Sequence, residues 1–203
     1  MSYWEHRKPV RRARAVDVEA IAVASVALLD AGGLRALTVR AVAHRLDVAP
    51  ASLYSRLHVV DDLFDIALDH ALGADPDVEQ GLRGLGIRDL MLVFHQHLCR
   101  HPWACQVIGM RTPRGPNYLR LSERMCRLLR DTGVPDPLGT SYTLSNYVIG
   151  SATTIPSAHD EVSSPIDAAI APLYARLRTE HHVDHHQLLG DGLDALLAYR
   201  RSA

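Results

Sequence analysis

The chain has 203 residues, enough for one large or two small domains with a substantial buried core. Hydrophobic residues make up 47% of the chain and aromatic residues only 5%, a composition that fits an all-helical protein. The formal net charge of −1 conceals an asymmetry, because residues 1–58 carry nine Lys and Arg against five Asp and Glu. A basic N-terminal part on an acidic remainder is typical of a modular DNA-binding protein.

Several classes of protein are excluded by simple sequence features. No uncharged apolar stretch reaches the roughly 18 residues of a membrane span, and no signal peptide is visible at the charged N-terminus. The odd number of cysteines, Cys99, Cys105 and Cys126, indicates free thiols in a reducing compartment. We therefore expect a cytoplasmic protein with no membrane partner, no cofactor and no metal site.

The N-terminus begins with a basic arm, followed by the first predicted helix. The arm contains Arg7, Lys8, Arg11, Arg12 and Arg14. An apolar run then predicts a helix from about Asp17 to Ala31, which the pair Gly32-Gly33 ends.

Residues 37–57 predict two short helices joined by a tight turn. Thr38 is a good N-cap for the first helix, and Pro50 suits the first position of the second. Asp47 stands where the chain must turn, and we expect it to adopt a left-handed conformation. Such a pair can place its second helix in the DNA major groove, although a helical hairpin inside any protein core has similar spacing.

The second helix of this pair predicts the DNA contacts. Leu53 and Leu57 are expected to face inward, which leaves Tyr54 to offer its hydroxyl to a phosphate and Arg56 to reach a base edge. The candidate DNA-binding residues are Arg11, Arg12, Arg14, Thr38, Val39, Arg40, Pro50, Ala51, Ser52, Tyr54, Ser55, Arg56 and His58.

A further helix is expected from about Asp61, and a polar, Gly-rich break at 73–86 then suggests a domain junction. We therefore predict a three-helix helix-turn-helix domain over 1–72 and a helical ligand-binding and dimerisation domain over 73–203. The spacing predicts a loop at 156–165 and further helices at about Ile87–Arg100, Trp103–Ile108, Asn117–Asp131, Pro137–Ile155, Ile166–Thr179 and His186–Arg200.

Two of these helices, Pro137–Ile155 and Leu188–Arg200, are apolar on more than one side. An antiparallel pair from each of two chains would form a four-helix bundle, with Leu193 and Leu197 in the interface. An ordinary monomeric core is the alternative.

The chain resembles the tetracycline-repressor (TetR) type of regulator. The N-terminal likeness rests on residues 29–40 (LDAGGLRALTVR), Leu46, Val48, Pro50, Leu53-Tyr54 and Asp62-Leu63. A looser likeness to the ligand-binding half rests on His101-Pro102-Trp103, Arg111, Gly115-Pro116-Asn117 and residues 128–133. The family usually has Gly in the turn and Lys near the start of the fourth helix, where this chain has Asp47 and Val60.

The resemblance implies a homodimer that binds a palindromic double-stranded DNA operator and is released by a small apolar or amphipathic effector. Trp103 would then pack on the effector, while Arg111 or Asn117 would bond its polar end. Since Val107 stands where the family's metal-binding His lies, a metal–tetracycline ligand is not expected. The candidate effector-binding residues are Phe94, His95, Leu98, Trp103, Val107, Met110, Arg111, Asn117, Tyr118, Leu121, Tyr142 and Asn146.

Two other functions stay open at this point, a helical small-molecule enzyme and a DNA-architectural protein without ligand control. An enzyme would need paired polar residues in a cleft, and the sequence marks no such catalytic pair. The histidines of 181–186 form i, i+4 pairs that could hold a metal on one helix face, with a solvated loop as the alternative.

Overall fold

The structure is a computed structural model that describes residues 2–6, 16–161, 165–181 and 183–202. All regular structure in these ranges is helical, which confirms the all-α prediction. Short 3-10 turns occur at Tyr3–Glu5 and Leu34–Ala36. The α-helices are α1 (Val18–Gly32), α2 (Val39–Arg45), α3 (Pro50–Leu53), α4 (Asp62–Ala74), α5 (Pro76–Gly84), α6 (Ile87–Arg100), α7 (Pro102–Met110), α8 (Pro116–Asp131), α9 (Pro137–Glu161), α10 (Pro172–Glu180) and α11 (His185–Ser202).

The local signals of the helix-turn-helix behave as the sequence predicts. The Thr38 hydroxyl accepts the Ala41 N–H at 3.1 Å and caps α2. Asp47 has a φ of 53°, the left-handed conformation that lets the chain reverse between α2 and α3. Pro50 is the first residue of α3, where its missing N–H costs no helical hydrogen bond.

The N-terminal helices enclose one apolar core. Ile21 of α1, Val42 of α2 and Leu63 of α4 are each 0% exposed. Leu53 and Leu57 point into the same core, so the orientation predicted for α3 is confirmed.

Helix α6 is the centre of the C-terminal half, where α5, α7, α8, α9 and α11 pack against it. Helix α4 packs against α1 on one side and against α5, α7 and α8 on the other. It is therefore the element through which the N-terminal helices meet the C-terminal ones.

The predicted break at 73–86 is wrong, because it contains α5. The Asp75 carboxylate accepts the N–H groups of Asp77 and Val78, and Pro76 occupies the first helical position. Burial of Val78 against the core outweighs the four glycines of 73–86 that suggested a loop. Helix α4 runs on to Ala74, so the predicted boundary after residue 72 falls within a helix.

Two other boundaries also differ from the prediction. Helix α9 continues to Glu161, so the first six residues of the expected 156–165 loop are helical. Helix α10 begins at Pro172 instead of near Ile166, since the proline sets its first turn. None of the described helices is long and apolar enough to cross a lipid bilayer.

Candidate DNA interface and its link to the C-terminal helices

The leading end of α3 is the exposed part of the helix-turn-helix. Pro50, Ala51 and Ser52 face outward, while Leu53 anchors the helix in the core. Tyr54 is 47% exposed, which leaves it on the same outer surface. The exposed members of the predicted DNA-binding set are Thr38, Arg40, Pro50, Ala51, Ser52, Tyr54, Ser55 and His58.

Two predicted DNA contacts have structural roles instead. The Val39 side chain is only 7% exposed, because it is on the core side of α2. Arg56 is half-buried, and its Nε donates to the Val16 carbonyl at 2.7 Å. This bond connects the residues that follow α3 to those that precede α1. The predicted contacts Arg11, Arg12 and Arg14 lie outside the described residues.

Helix α4 presents a row of acidic side chains, which we call the α4 carboxylates: Asp61, Asp62, Asp65 and Asp69. Asp62 is 0% exposed, and its Oδ2 accepts the N–H groups of His58 at 2.6 Å and Val59 at 3.2 Å. This carboxylate therefore holds the turn that joins α3 to α4.

Arg111, from the link after α7, binds two of the α4 carboxylates. Its Nε and Nη2 donate to the two oxygens of Asp65 at 2.8 and 3.0 Å, and its Nη1 donates to Asp61 at 2.8 Å. The hydrogen bond to Asp65 raises the pKa of Arg111 above its ordinary value. The guanidinium is thus turned toward α4, and the expected effector contact of this residue stays a prediction.

Asn117, at the start of α8, binds a third carboxylate of the row. Its backbone N–H donates to Asp69 Oδ1 at 2.9 Å, and its Nδ2 donates to Asp69 Oδ2 at 3.0 Å. The Tyr118 N–H reaches the same Oδ1 at 3.0 Å. Burial raises the pKa of Asp69 despite these bonds. Asn117 therefore joins α8 to α4, and its expected bond to an effector also stays a prediction.

Trp103, a third predicted effector contact, also bonds a residue of another helix. It is 3% exposed, and its indole Nε1 donates to Asp30 Oδ1 at 2.6 Å. A ring nitrogen of His101 bonds the same oxygen at 2.7 Å. Trp103 is thus an anchor between α7 and the end of α1, which its apolar body and single N–H donor suit well.

A buried His–Asp pair lies where α4 passes into α5. The His97 ring is 1% exposed, and its Nδ1 bonds Asp75 Oδ2 at 2.8 Å. Burial lowers the pKa of His97, so a neutral imidazole donates to the carboxylate. Burial alone would raise the pKa of Asp75, but bonds from Arg100, His97 and the Val78 N–H together lower it.

Six of the twelve predicted effector-binding residues lie together in the interior of the C-terminal helices. They are Phe94, His95, Leu98, Val107, Tyr118 and Leu121, all buried except Tyr118, which is half-buried. His95 Nε2 bonds the Ser151 hydroxyl at 3.2 Å, a contact the sequence did not mark because a lone helical serine has no distinctive spacing. Burial lowers the pKa of His95 and raises that of Tyr118 to about 12, so both are neutral.

Three further members of the predicted effector set do not join this cluster. Met110 is 58% and Tyr142 is 63% exposed, and Asn146 is exposed as well. They lie on outer faces of α7 and α9, since the buried apolar side chains described in α9 are Leu144, Val148 and Ala152.

Two cavities lie at the junction between the halves. One of about 410 Å³ is lined by α1, α4, α5 and the end of α6, including His70, Asp75 and His101. The other, of about 310 Å³, lies between residues 2–5 and Arg111–Arg114. Neither is lined by the six clustered residues.

The histidines of 181–186 do not lie on one face of a single helix. His181 follows the last residue of α10, whereas His185 is the first residue of α11, and His182 lies outside the described residues. Among the described residues, no three His, Cys, Asp or Glu side chains converge as a metal site would require.

Comparison with known protein families and sequences gives consistent matches. The sequence model of the tetracyclin repressor-like C-terminal domain matches residues 88–179. An HTH-type transcriptional regulator of Saccharopolyspora erythraea is 38% identical over 140 residues, 66% of this chain and 58% of that protein. The HTH-type transcriptional repressor DrrR1 of Streptomyces coeruleorubidus is 28% identical over 158 residues, 72% of this chain and 56% of that protein. The match thus spans a little over half the length of each relative.

Solved structures match over nearly the whole chain. Apo ActR of Streptomyces coelicolor is 25% identical with a TM-score of 0.74, covering 94% of this chain and 97% of that one. The same protein in complex with actinorhodin has a TM-score of 0.72 at 24% identity, covering 92% and 97%. The arrangement of helices is therefore shared over nearly the whole chain.

Proposed function

The chain belongs to the TetR family, and we propose that it is a ligand-responsive transcriptional repressor that binds a palindromic DNA operator as a homodimer. The observation that carries the proposal is the exposed leading end of α3, held by a turn that a carboxylate of α4 caps. The same α4 row receives Arg111 and Asn117 from the C-terminal half. The relatives are named as transcriptional regulators, and the proposal assigns no catalytic step to the chain.

DNA binding would place the end of α3 in the major groove. Pro50, Ala51 and Ser52 are small and exposed there, so the helix can approach base edges closely. Tyr54, His58 and the arm residues Arg11, Arg12 and Arg14 would contact phosphates, which supply most of the salt-dependent affinity.

Homodimerisation would use the outer face of α9 and α11. The Tyr147 hydroxyl donates to the Leu188 carbonyl at 3.0 Å, so the two helices lie side by side. They expose four large apolar side chains, which we call the outer apolar face: Leu138, Tyr142, Leu188 and Tyr199. A helix pair of this kind can form a four-helix bundle with its copy, whereas Leu193 and Leu197 pack inside the chain's own core.

Release from DNA would begin in the cluster around Phe94, His95 and Tyr118. An effector entering between α6, α8 and α9 would displace α7 and α8, whose Arg111 and Asn117 hold the α4 carboxylates. Any displacement of α4 moves the Asp62 cap and with it the turn behind α3. The effector can shift the equilibrium only by its differential affinity for the two arrangements.

Two measurements test this function together. Full-length protein first selects duplexes from a random-sequence library, and a thermal-shift screen of small molecules, with actinorhodin from the ActR complex among them, then identifies effectors. The proposal expects a compound that raises the melting temperature and also releases the selected duplex in a gel-shift titration. Stabilising compounds that never displace the duplex would contradict ligand control.

A further inference from the structure

The first residues of the chain pack on α4, and the proposed function gives them no role. Residues 3–5 form one 3-10 turn, which the Ser2 N–H closes by donating to Glu5 Oε2 at 2.9 Å. Tyr3 is 1% exposed, and its N–H donates to Asp65 Oδ2 at 2.8 Å. The docked segment is therefore a packed part of the DNA-binding domain.

His6 connects this segment to the turn behind the recognition helix. Its Nε2 N–H donates to Asp62 Oδ1 at 3.0 Å, and its ring meets the His58 ring edge-to-face with centroids 4.5 Å apart. The other oxygen of Asp62 caps the N–H groups of His58 and Val59. One fully buried carboxylate is thus bonded to the N-terminal segment through one oxygen and to the turn through the other.

We propose that the segment Ser2–His6 is a positioning element for the recognition helix, acting through His6 on Asp62. This proposal rests on the function proposed above, because positioning α3 matters only if α3 reads DNA. His6 touches no base in this account. It fixes the Asp62 carboxylate, which in turn fixes the backbone between α3 and α4.

The physical reason is the cost of a buried carboxylate that lacks hydrogen-bond donors. Asp62 is 0% exposed, so water cannot replace a lost partner unless the carboxylate moves outward. Such a movement breaks the caps on His58 and Val59. The turn then loses its fixed geometry, and α3, whose helical part is only four residues long, cannot restore it alone.

The same segment also meets the C-terminal half at one atom. Asp65 Oδ2 accepts both the Tyr3 N–H and Arg111 Nη2, at 2.8 and 3.0 Å. A shift of Arg111 therefore reaches the N-terminal segment through Asp65, and through His6 it reaches the turn.

The test compares three single variants of the full-length chain. His6→Ala removes the donor, and His6→Gln keeps an amide N–H near the position of Nε2. His70→Ala is the matched control, since His70 also pairs with a carboxylate, Glu19 at 3.2 Å, but does not touch the turn. Hydrogen exchange of the His58 and Val59 amides is measured together with affinity for a duplex selected by the wild-type protein and for a random duplex.

We expect His6→Ala to speed exchange at both amides and to weaken binding to the selected duplex about tenfold, the size of one lost bond to a charged group. Affinity for the random duplex should change much less. His6→Gln and His70→Ala should both resemble the wild type. Wild-type exchange and affinity in His6→Ala would overturn the proposal, as would equal damage from His70→Ala.

Two other outcomes are also decisive. If His6→Ala fails to fold, a partial loss in His6→Gln confined to these two amides supports the positioning role, and a loss spread over α1 to α4 overturns it. If the wild type selects no DNA sequence, the proposed function fails, and with it the claim that the segment serves recognition. Exchange at His58 and Val59 would then still report whether His6 holds the turn.

Discussion

Arg56 leaves the end of the recognition helix and turns back toward α1, where its Nε donates to the Val16 carbonyl at 2.7 Å. A side chain held this way fixes the start of α1 relative to α3. Arg56 therefore stabilises the N-terminal helices, and any contact of these helices with DNA depends on that stability.

Arg56→Ala should therefore lower the free energy of unfolding by about 1.5–3 kcal/mol, the usual contribution of a hydrogen bond that involves a charged group. That loss corresponds to a melting temperature lower by several degrees for a chain of this length. Calorimetry of the variant checks it, with the exposed Arg35→Ala as control. An unchanged melting temperature combined with a loss on specific DNA alone would return Arg56 to the role of a base reader.

His97 makes stability depend on pH. Because burial lowers its pKa below the ordinary 6.5, the unfolded chain takes up a proton first as the pH falls. The contribution of His97 to stability is therefore fully present above pH 6.5, and it is lost progressively as the pH falls below that value. The Asp75 partner, whose pKa is lowered, adds a separate loss only below its ordinary value of 3.8.

His97→Asn keeps a donor for Asp75 but cannot be protonated. Unfolding in urea at about pH 7 and about pH 5 should show a smaller loss of stability in this variant than in the wild type. The remaining dependence is expected from His95, whose pKa is also lowered by burial. Identical pH dependence in both proteins would show that His97 does not titrate in this way.

At the scale of elements, α4 is the part that both halves share. Its carboxylates accept bonds from the α3–α4 turn, from Arg111 and from Asn117. The Arg111 bond to Asp65 joins side chains that are 17% and 5% exposed. A pair so little exposed to solvent is sensitive to the removal of one partner.

Arg111→Ala should loosen the junction and cost on the order of 2 kcal/mol or more, since the buried Asp65 loses both hydrogen bonds from the guanidinium. We expect faster hydrogen exchange in α4 and α7 and, in calorimetry, a broader transition as the halves lose cooperativity. Arg114→Ala, an exposed arginine of the same link, is the control. If both variants unfold as sharply as the wild type, Arg111 does not couple the halves.

Helices α9 and α11 carry the prediction about assembly. Changing Tyr142 and Leu188 of the outer apolar face to Glu should yield a folded monomer, because charge is then buried only in the dimer. Sedimentation velocity measures the mass. Leu193→Glu should instead unfold the chain, since Leu193 is 0% exposed within one protomer. A double variant that remains dimeric would place the interface on another surface.

The elements were predictable where the signal is local, and the site was predictable only in part. Thr38, Asp47 and Pro50 each act on their own neighbours, which is why the turn and both helix starts agree with the sequence. Arg111 and Trp103 pair with residues 46 and 73 positions away. No spacing rule predicts such pairings. The sequence alone therefore does not show that Arg111 lies beside α4 and Trp103 beside α1.

At the scale of the whole molecule, the charge asymmetry and the helix arrangement both fit the proposed DNA-binding function. The first 58 positions carry nine Lys and Arg against five Asp and Glu, and the buried cluster around Phe94 lies in the C-terminal half, beyond α4. A monomer presents one short recognition helix, which can read only a few base pairs. In the proposed function, sequence-specific binding therefore uses two copies arranged about a twofold axis.

Selection from a random-sequence duplex library by the full-length wild-type protein tests this claim most directly. We expect an enriched site made of two inverted half-sites whose centres lie about one helical turn apart, roughly 34–36 Å or a multiple of it. Enrichment of a single half-site would contradict the dimer. A library that shows no enriched sequence, with binding that depends only on salt, would contradict sequence-specific recognition altogether.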